Sequence, residues 1–145
     1  MNLELAIKIG YEKLKKDDII KSALLDTEIL LSEAINKSRE FTLLNSNRRL
    51  SIQEYNYFQD MVNQRLKGKP IAYLIRRKSF WKYDFFVNEN VLIPRPETEI
   101  IIEQVLKIYK KKNKINFLDI GFGSGSILLS ILKEKKDFNG TGIDI

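Results

Sequence analysis

Asp119-Ile120-Gly121-Phe122-Gly123-Ser124-Gly125 is a glycine-rich stretch that joins an apolar run, residues 115–120, to a helical pattern over residues 126 to about 135. Residues 141–145, Thr-Gly-Ile-Asp-Ile, follow that helix and are predicted to form a second strand. The order strand, glycine-rich turn, helix, strand is that of a βαβ unit, and short apolar runs are typical of buried parallel strands. The C-terminal part of the chain is therefore predicted to be α/β.

The spacing of the glycines indicates which ligand the loop would take. Gly121 allows a sharp turn off the strand, while Gly123 and Gly125 leave bare backbone at the start of the helix. Dinucleotide-binding loops read G-x-G-x-x-G, but Ser126 occupies the position of that third glycine. The pattern G-x-G-x-G favours S-adenosylmethionine, which has no pyrophosphate, over NAD. The alternative is that the stretch is only a turn between strand and helix.

Two carboxylates complete this predicted site. Asp144 lies 23 residues after Gly121, at the end of the second strand, where its carboxylate can accept both ribose hydroxyls. Asp119 either orders the loop backbone or faces the ammonium group of the cofactor. The predicted cofactor-binding residues are Asp119, Gly121, Phe122, Gly123, Ser124, Gly125 and Asp144.

Residues 1–68 are predicted to form a small helix bundle. Apolar residues recur at helical spacing over residues 3–14 and from about 19 to 35, and a short turn or helix follows near 39–44. Ser51 and Glu54 form a capping box at the start of a further helix, which is expected to stop at Gly68. These apolar stripes need one another to be buried, which favours a bundle.

Residues 69–93 are predicted to be a connector that contains a β-hairpin. Residues 79–87 are rich in aromatic and β-branched side chains and suggest two short strands around a turn near residues 82–84. Aromatic rings beside basic residues are also found on nucleic-acid surfaces, but packing of the rings onto their neighbours is the favoured interpretation.

A proline-rich segment opens the next helix. Pro96 suits the first helical turn, and Glu97 and Glu99 lie near its positive end. These acids, with Arg95, form either a helix start in which Arg95 pairs with a carboxylate, or part of an active-site wall. The helix start is favoured because capping explains everything except Arg95.

Composition excludes several kinds of chemistry. The 145 residues include 25 Lys and Arg against 19 Asp and Glu, which gives a net charge of +6, and there is no cysteine or histidine. Disulfides, thiolate nucleophiles, serine–histidine triads and most zinc sites are thereby ruled out, and no metal site is predicted. No signal peptide or membrane-spanning run is recognisable, so a cytoplasmic location is expected. The positive charge is interpreted as a lysine-rich solvated surface without direct nucleic-acid binding.

Several segments together resemble the N-terminal part of the release-factor glutamine methyltransferases, the HemK/PrmC-type enzymes. The cofactor loop alone indicates only a broad class of methyltransferase; the Pro-Arg-Pro-Glu-Thr-Glu segment narrows the family. The segments that carry the resemblance are Asp26-Thr27-Glu28-Ile29-Leu30-Leu31, Gly68-Lys69-Pro70-Ile71-Ala72-Tyr73-Leu74, residues 80–87, Val91-Leu92-Ile93-Pro94-Arg95-Pro96-Glu97-Thr98-Glu99 and residues 118–126.

The resemblance implies a fold and a reaction. The fold is a helical substrate-recognition domain (residues 1–68), a hairpin connector (69–93) and the start of a Rossmann-like class I methyltransferase domain (94–145). The reaction moves the methyl group of S-adenosylmethionine to the glutamine side-chain amide in the Gly-Gly-Gln loop of class 1 peptide chain release factors. A monomer is expected. Alternatives are a methyltransferase acting on exocyclic amines of DNA or RNA, and a non-enzymatic helical adaptor.

The chain departs from the family pattern at three points. Phe122 stands where a small hydroxyl residue is usual, which removes a hydroxyl contact but leaves a backbone contact possible. Arg76 stands where a glycine commonly precedes the hairpin. The Asn-Pro-Pro-Tyr motif that aims the amide nitrogen at the methyl group is absent from the 145 residues. No catalytic residue is therefore assigned, the methyltransferase domain is read as truncated, and the chain as given is expected to be inactive.

Overall fold

The computed structural model describes all 145 residues, which form two compact units, Met1–Ile75 and Arg76–Ile145. The first unit is entirely helical apart from an isolated bridge between Asn2 and Arg49. The second contains two small two-stranded sheets and two longer helices. The protein is thus a mixed α and β structure, in which the helical part comes first, as the sequence predicts. No helix has the length and apolar character required to cross a bilayer.

Five helices make up the first unit: α1 (Leu3–Leu14), α2 (Ala23–Ala34), α3 (Arg39–Leu44), α4 (Ile52–Leu66) and α5 (Ile71–Leu74). Side-chain caps fix several of their starts. The predicted capping box of α4 is present in both directions: Glu54 N donates to Ser51 Oγ over 3.1 Å, and Ser51 N donates to Glu54 Oε2 over 2.8 Å. The α4 helix ends two residues before Gly68, whose φ of +88° suits a helix C-terminus.

One start differs from the prediction. The second helix begins at Ala23 rather than near residue 19, because Asp17 organises the preceding residues into turns. The Asp17 carboxylate accepts the Ile19 N–H over 2.9 Å, and its carbonyl accepts the Ile20 N–H over 3.0 Å. Ile19 is consequently 86% exposed, whereas Ile20 is buried.

The helices of the first unit share one apolar core. Contacts link α2 with α1, α3, α4 and α5, and α1 with α4. An ion pair is enclosed in this packing: Arg65 Nε lies 2.8 Å from Asp26 Oδ2, and both side chains are largely buried. The buried apolar residues are Leu3, Ala6, Leu14, Ile20, Ala23, Leu30, Leu31, Ile35, Phe58, Met61, Val62 and Leu74.

The second unit starts with the predicted hairpin. Strands β1 (Arg77–Phe80) and β2 (Tyr83–Phe86) pair antiparallel, so that the turn is made by Trp81 and Lys82, about one residue earlier than expected. Arg76 has a φ of +52°, a conformation that glycine adopts most easily. The residue that departs from the family pattern thus takes up the backbone conformation that suits a glycine.

A βαβ unit completes the chain, as the glycine-rich stretch predicts. A 3-10 turn over Pro96–Thr98 leads into α6 (Glu99–Ile108), and then come β3 (Asn116–Ile120), α7 (Ser126–Glu134) and β4 (Asn139–Ile143). Strands β3 and β4 are parallel, with a register from Asn116↔Asn139 to Ile120↔Ile143. The last strand begins two residues earlier than expected because its pairing with β3 includes Asn139 and Gly140.

Strand β3 is buried on one face only, although its apolar run is typical of a buried strand. Side chains of a strand alternate between faces, and Phe117 packs with the core cluster while Leu118 and Ile120 are 54% and 74% exposed. Helix α7 contacts β4, but nothing covers the face that carries Leu118 and Ile120. The buried cluster of this unit is Phe80, Phe85, Ile102, Ile131 and Phe138.

Candidate cofactor site

The glycine-rich loop between β3 and α7 is built from three left-handed backbone positions. Gly121, Gly123 and Gly125 have φ values of +77°, +53° and +76°. Residues with a Cβ are disfavoured there, which explains why the loop needs glycine at these places. Gly125 directly precedes α7, and no side chain caps the first turn of that helix.

The loop is tied to the end of β4 by three backbone amides. Gly121 N donates to the Ile143 carbonyl over 2.7 Å, and Phe122 N donates to the same oxygen over 3.3 Å. Gly123 N donates to Asp144 Oδ2 over 2.5 Å. The structure therefore brings Asp144 next to the loop, although 21 residues of chain separate it from Gly123.

Asp144 is exposed, and each of its two carboxylate oxygens accepts a hydrogen bond from one backbone amide. Ile145 N donates to its Oδ1 over 2.8 Å, in addition to the Gly123 bond to Oδ2. These two backbone hydrogen bonds, that of Ile145 first, lower the pKa of the Asp144 carboxyl below its ordinary value. An ionised carboxylate has about four lone-pair positions, so each oxygen retains capacity for a hydroxyl donor at neutral pH.

Open space lies beside two of the three glycines. A Cβ placed on Gly121 or on Gly123 would meet no heavy atom within 4 Å. A Cβ on Gly125 would instead lie 3.2 Å from Leu129 Cδ1, so this glycine is needed for packing of α7 as well as for its backbone conformation. A ligand could therefore approach the bare backbone at Gly121 and Gly123, which is the role expected of them.

A cavity of about 490 Å³ adjoins the loop. Gly123 and Ser124 line one side of it, and Leu129 and Lys133 of α7 also contribute. The opposite lining comes from the hairpin and the segment after it: Tyr83, Asp84, Phe85, Phe86, Asn88 and Val91. The hairpin is thus a wall of the space beside the loop, a role that the sequence did not indicate.

The two remaining predicted site residues have different surroundings. Phe122 is half-buried, and its ring lies against β4, since a Cβ on Gly142 would be 3.0 Å from Phe122 Cγ. Asp119 is also half-buried, and its Oδ2 is buried without a hydrogen-bond partner. Asp119 lines a separate cavity of about 410 Å³ together with apolar residues such as Phe117 and Ile131. The structure does not bring it into the cavity that Gly123 and Ser124 line.

Glu99 has a partner that the sequence could not show. Its Oε1 accepts the backbone N–H of Trp81 over 2.7 Å, so it holds the turn of the hairpin rather than only the start of α6. Arg95 is exposed and forms no salt bridge, so the expected pairing of Arg95 with a carboxylate is not observed. No spacing rule connects Glu99 with a residue 18 positions away in a hairpin turn.

Glu134, at the end of α7, holds the same turn. It accepts Trp81 Nε1 over 2.9 Å and Tyr83 Oη over 3.3 Å, and Lys82 Nζ lies 2.9 Å away. The hydrogen bond from Lys82, followed by that from Trp81, lowers the pKa of the Glu134 carboxyl. Two carboxylates from α6 and α7 therefore fix the wall of the cavity that adjoins the loop.

One family model matches most of the helical unit. Residues 6–75 match the family model described as the PrmC N-terminal domain. A release factor glutamine methyltransferase of Leptospira interrogans is 44% identical over 140 residues, which are 96% of this chain and 49% of that protein. One from Caulobacter vibrioides is 38% identical over 129 residues, 89% of this chain and 45% of the relative.

A third relative extends the match to nearly every residue. The release factor glutamine methyltransferase of Buchnera aphidicola subsp. Acyrthosiphon pisum is 35% identical over 144 residues, 99% of this chain and 50% of the relative. The chain spans about half the length of the curated relatives it matches. With most of the helical unit matched by the family model and the glycine-rich loop within the aligned region, the chain corresponds to the N-terminal part of the release factor glutamine methyltransferases.

Proposed function

We propose that the loop of residues 121–125 and Asp144 form part of an S-adenosylmethionine site in a protein-glutamine methyltransferase. The observation that supports this most strongly is the loop itself: open space at Gly121 and Gly123, with the Asp144 carboxylate held beside them by the Gly123 amide. In this proposal residues 94–145 are the beginning of a Rossmann-like methyltransferase domain. When bound, the cofactor supplies a methyl group on a positively charged sulfur.

The residues of this chain would hold and orient that cofactor. The Asp144 carboxylate, ionised at neutral pH, accepts the ribose hydroxyls, while the backbone at Gly121 and Gly123 lets the ligand lie against the loop. Asp119 has no contact with the cofactor in this proposal, since it lines the separate cavity and not the one beside Gly123 and Ser124. Phe122 contributes a backbone contact only.

The substrate in this proposal is the side-chain amide of the Gly-Gly-Gln glutamine of a class 1 peptide chain release factor. The support is that the relatives are named release factor glutamine methyltransferases and that residues 6–75 match an N-terminal domain of that family. The helical unit would recognise the release factor. An amide nitrogen is a poor nucleophile, so the reaction depends on accurate positioning, and the Asn-Pro-Pro-Tyr motif expected for this step does not occur in the 145 residues.

Cofactor binding by Asp144→Ala, in a protein of the relatives' full length, tests the site. Loss of charge-assisted hydrogen bonds should weaken S-adenosylmethionine by about thirtyfold in a calorimetric titration. Asp137→Ala is the matched control, since Asp137 is equally exposed but precedes β4 instead of following it, and it should leave the affinity unchanged. Gly123→Val should be at least as harmful as Asp144→Ala. Unchanged binding by the Asp144 and Gly123 variants would remove the site assignment.

The 145-residue chain itself should not methylate a release factor. Incubation with S-adenosylmethionine labelled in its methyl group, followed by counting of the precipitated release factor, measures this directly. We expect counts equal to those of a sample without the chain. Transfer above that background would mean that the Asn-Pro-Pro-Tyr motif is dispensable, and the proposed positioning step would be wrong.

A further inference from the structure

Positive charge is dense in two short segments, residues 107–114 and 133–137, as it also is in residues 65–82, which hold seven cationic residues and no acidic one. The first two segments together contain eight of the 25 cationic residues but only two of the 19 acidic ones, so 17 residues of each sign remain elsewhere. These two segments, 13 residues in all, carry a net charge of +6, and the charges of the remaining residues sum to zero.

The fold brings these two segments together. Lys135 Nζ donates to the Lys110 carbonyl over 3.0 Å, and Lys114 N donates to Asp137 Oδ2 over 3.2 Å. One segment ends α6 and leads into β3, and the other ends α7 and leads into β4. We call the eight lysines that they carry the lysine surface: Lys107, Lys110, Lys111, Lys112, Lys114, Lys133, Lys135 and Lys136.

The two acids among these segments offset the charge of the lysine surface only in part. The Glu134 carboxylate binds the hairpin: it accepts hydrogen bonds from Trp81 Nε1 and Tyr83 Oη and forms a salt bridge with Lys82. Asp137 accepts the Lys114 N–H and lies on the lysine surface itself. None of the eight lysines takes part in a salt bridge.

Helix-end electrostatics explain only part of this surface. Lysines near a helix C-terminus are favourable, which accounts for Lys107 in the last turn of α6 and for Lys135 on the Lys110 carbonyl. Lys133 lies over the Tyr83 ring, 4.1 Å from its centroid. The ammonium groups of the other five, Lys110, Lys111, Lys112, Lys114 and Lys136, are exposed and contact no partner in the fold.

We propose that the lysine surface binds the phosphate backbone of a nucleic acid, without preference for base sequence. Lysine ammonium groups bind phosphates as point charges and lack the planar fork with which arginine reads bases. A membrane surface fits less well, since insertion requires several exposed large apolar side chains and only Ile108, 67% exposed, is more than half exposed here. The inference departs from the expectation drawn from composition, which carries no information on where the charge lies in space.

Seven of the eight lysines lie at the opposite end of the parallel strand pair from the cofactor loop, whereas Lys133 lines the cavity that adjoins the loop. The lysines precede β3 and β4, whereas the loop follows β3 and Asp144 follows β4. Strands of five residues separate the two edges by roughly 16 Å. Nucleic-acid binding is therefore independent of the proposed methyl transfer, and failure of one would not imply failure of the other.

Binding of a fluorescently labelled single-stranded RNA to the 145-residue chain, followed by anisotropy at several salt concentrations, tests the proposal. One variant changes Lys110, Lys111, Lys112 and Lys136 to Gln; its control changes Lys8, Lys16, Lys21 and Lys67, which are also exposed and lie in the helical unit. Both variants lose the same charge. If the four lysines each contact a phosphate, the first variant should reduce the slope of log K against log salt by about 3 and weaken binding about tenfold or more at low salt. The control should stay within about twofold of the original chain, since it removes no phosphate contact.

Further measurements keep the test decisive. RNAs of different sequence and a duplex DNA should bind with similar salt dependence, and bound RNA should protect the lysine surface from acetylation in the unmodified chain. Equal losses in both variants would show diffuse attraction and overturn the proposal. Absence of salt-dependent RNA binding, or binding only to phosphatidylserine vesicles, would overturn it as well.

Discussion

The two units of the molecule differ in how completely they bury their own apolar residues. In Met1–Ile75 four helices and the short α5 enclose twelve buried apolar side chains. In Arg76–Ile145 the buried cluster has five members, and Leu118, Ile120 and Ile143 of the parallel strands are about half exposed or more. The helical unit thus has an extensive apolar core. The second unit has a smaller one, and its loop and Asp144 meet at the C-terminal ends of β3 and β4. Truncation of an apolar core residue is therefore expected to lower the free energy of unfolding of the first unit strongly. Truncation of an apolar strand residue should lower that of the second unit much less.

The largest expected effect compares two leucines. Leu30→Ala, at a fully buried position of α2, should lower the free energy of unfolding by about 3 kcal/mol, since it removes buried surface and leaves a cavity. Leu118→Ala, at a position that is 54% exposed, should cost about 1 kcal/mol or less. Urea denaturation followed by far-UV circular dichroism reports mainly on the helical unit, and fluorescence of Trp81, the single tryptophan, reports on the second. Equal losses for both variants would contradict the contrast between the two units.

An intermediate effect concerns carboxylates that accept backbone amides. Glu54 in the first unit and Asp144 in the second both have a lowered pKa, but for Glu54 the main cause is the hydrogen bond from Arg48, followed by that from Ser51 N. A lowered pKa means that the stabilisation is present above the ordinary value of 4.5 and is lost as pH falls through the pKa of the folded state. Glu54→Gln should therefore cost about 1 kcal/mol at neutral pH and nearly nothing in strong acid.

Urea denaturation at neutral and at acidic pH measures this difference. Ser51→Ala is the control, because it removes the reciprocal hydrogen bond of the capping box without removing a titrating group. Its cost of about 1 kcal/mol should change little with pH. A Glu54→Gln loss that is the same at both pH values would show that the charge of Glu54 does not contribute.

The sequence predicted those helices and turns that depend on only a few neighbouring residues. The capping box at Ser51 fixed the start of α4, and the glycines at 121, 123 and 125 indicated a βαβ turn, because both depend on neighbouring backbone conformation. The short α5 was missed, since Ile71–Leu74 is only four residues long and too short to show a helical period. It forms because Leu74 packs into the core of the helical unit.

Features that depend on distant parts of the chain were not predictable in the same way. The early start of β4 comes from its pairing with β3, since Asn139 and Gly140 have little tendency to form strands by themselves. The hairpin was expected from its aromatic residues, but its attachment to Glu99 and Glu134 joins residues 18 and 53 positions apart. In the candidate site, the proximity of Asp144 to the loop followed from strand order, whereas the separate cavity beside Asp119 did not.

The smallest expected changes in stability concern two residues with a left-handed backbone conformation. Gly68 lies near the end of the first unit, and Arg76 begins the second. Gly68 has a φ of +88° and Arg76 a φ of +52°, and a Cβ on Gly68 would meet no atom within 4 Å, so only backbone strain is altered there. Gly68→Ala should destabilise the helical unit by about 1 kcal/mol, because a left-handed conformation is disfavoured for a residue with a Cβ. Arg76→Gly should have the opposite sign and a smaller size, about 0.5 kcal/mol of stabilisation, since relief of that strain is offset by the greater freedom of glycine in the unfolded chain. Thermal unfolding of both variants beside the original chain measures the two shifts. A destabilising Arg76→Gly would mean that contacts of the arginine side chain outweigh the strain of its backbone.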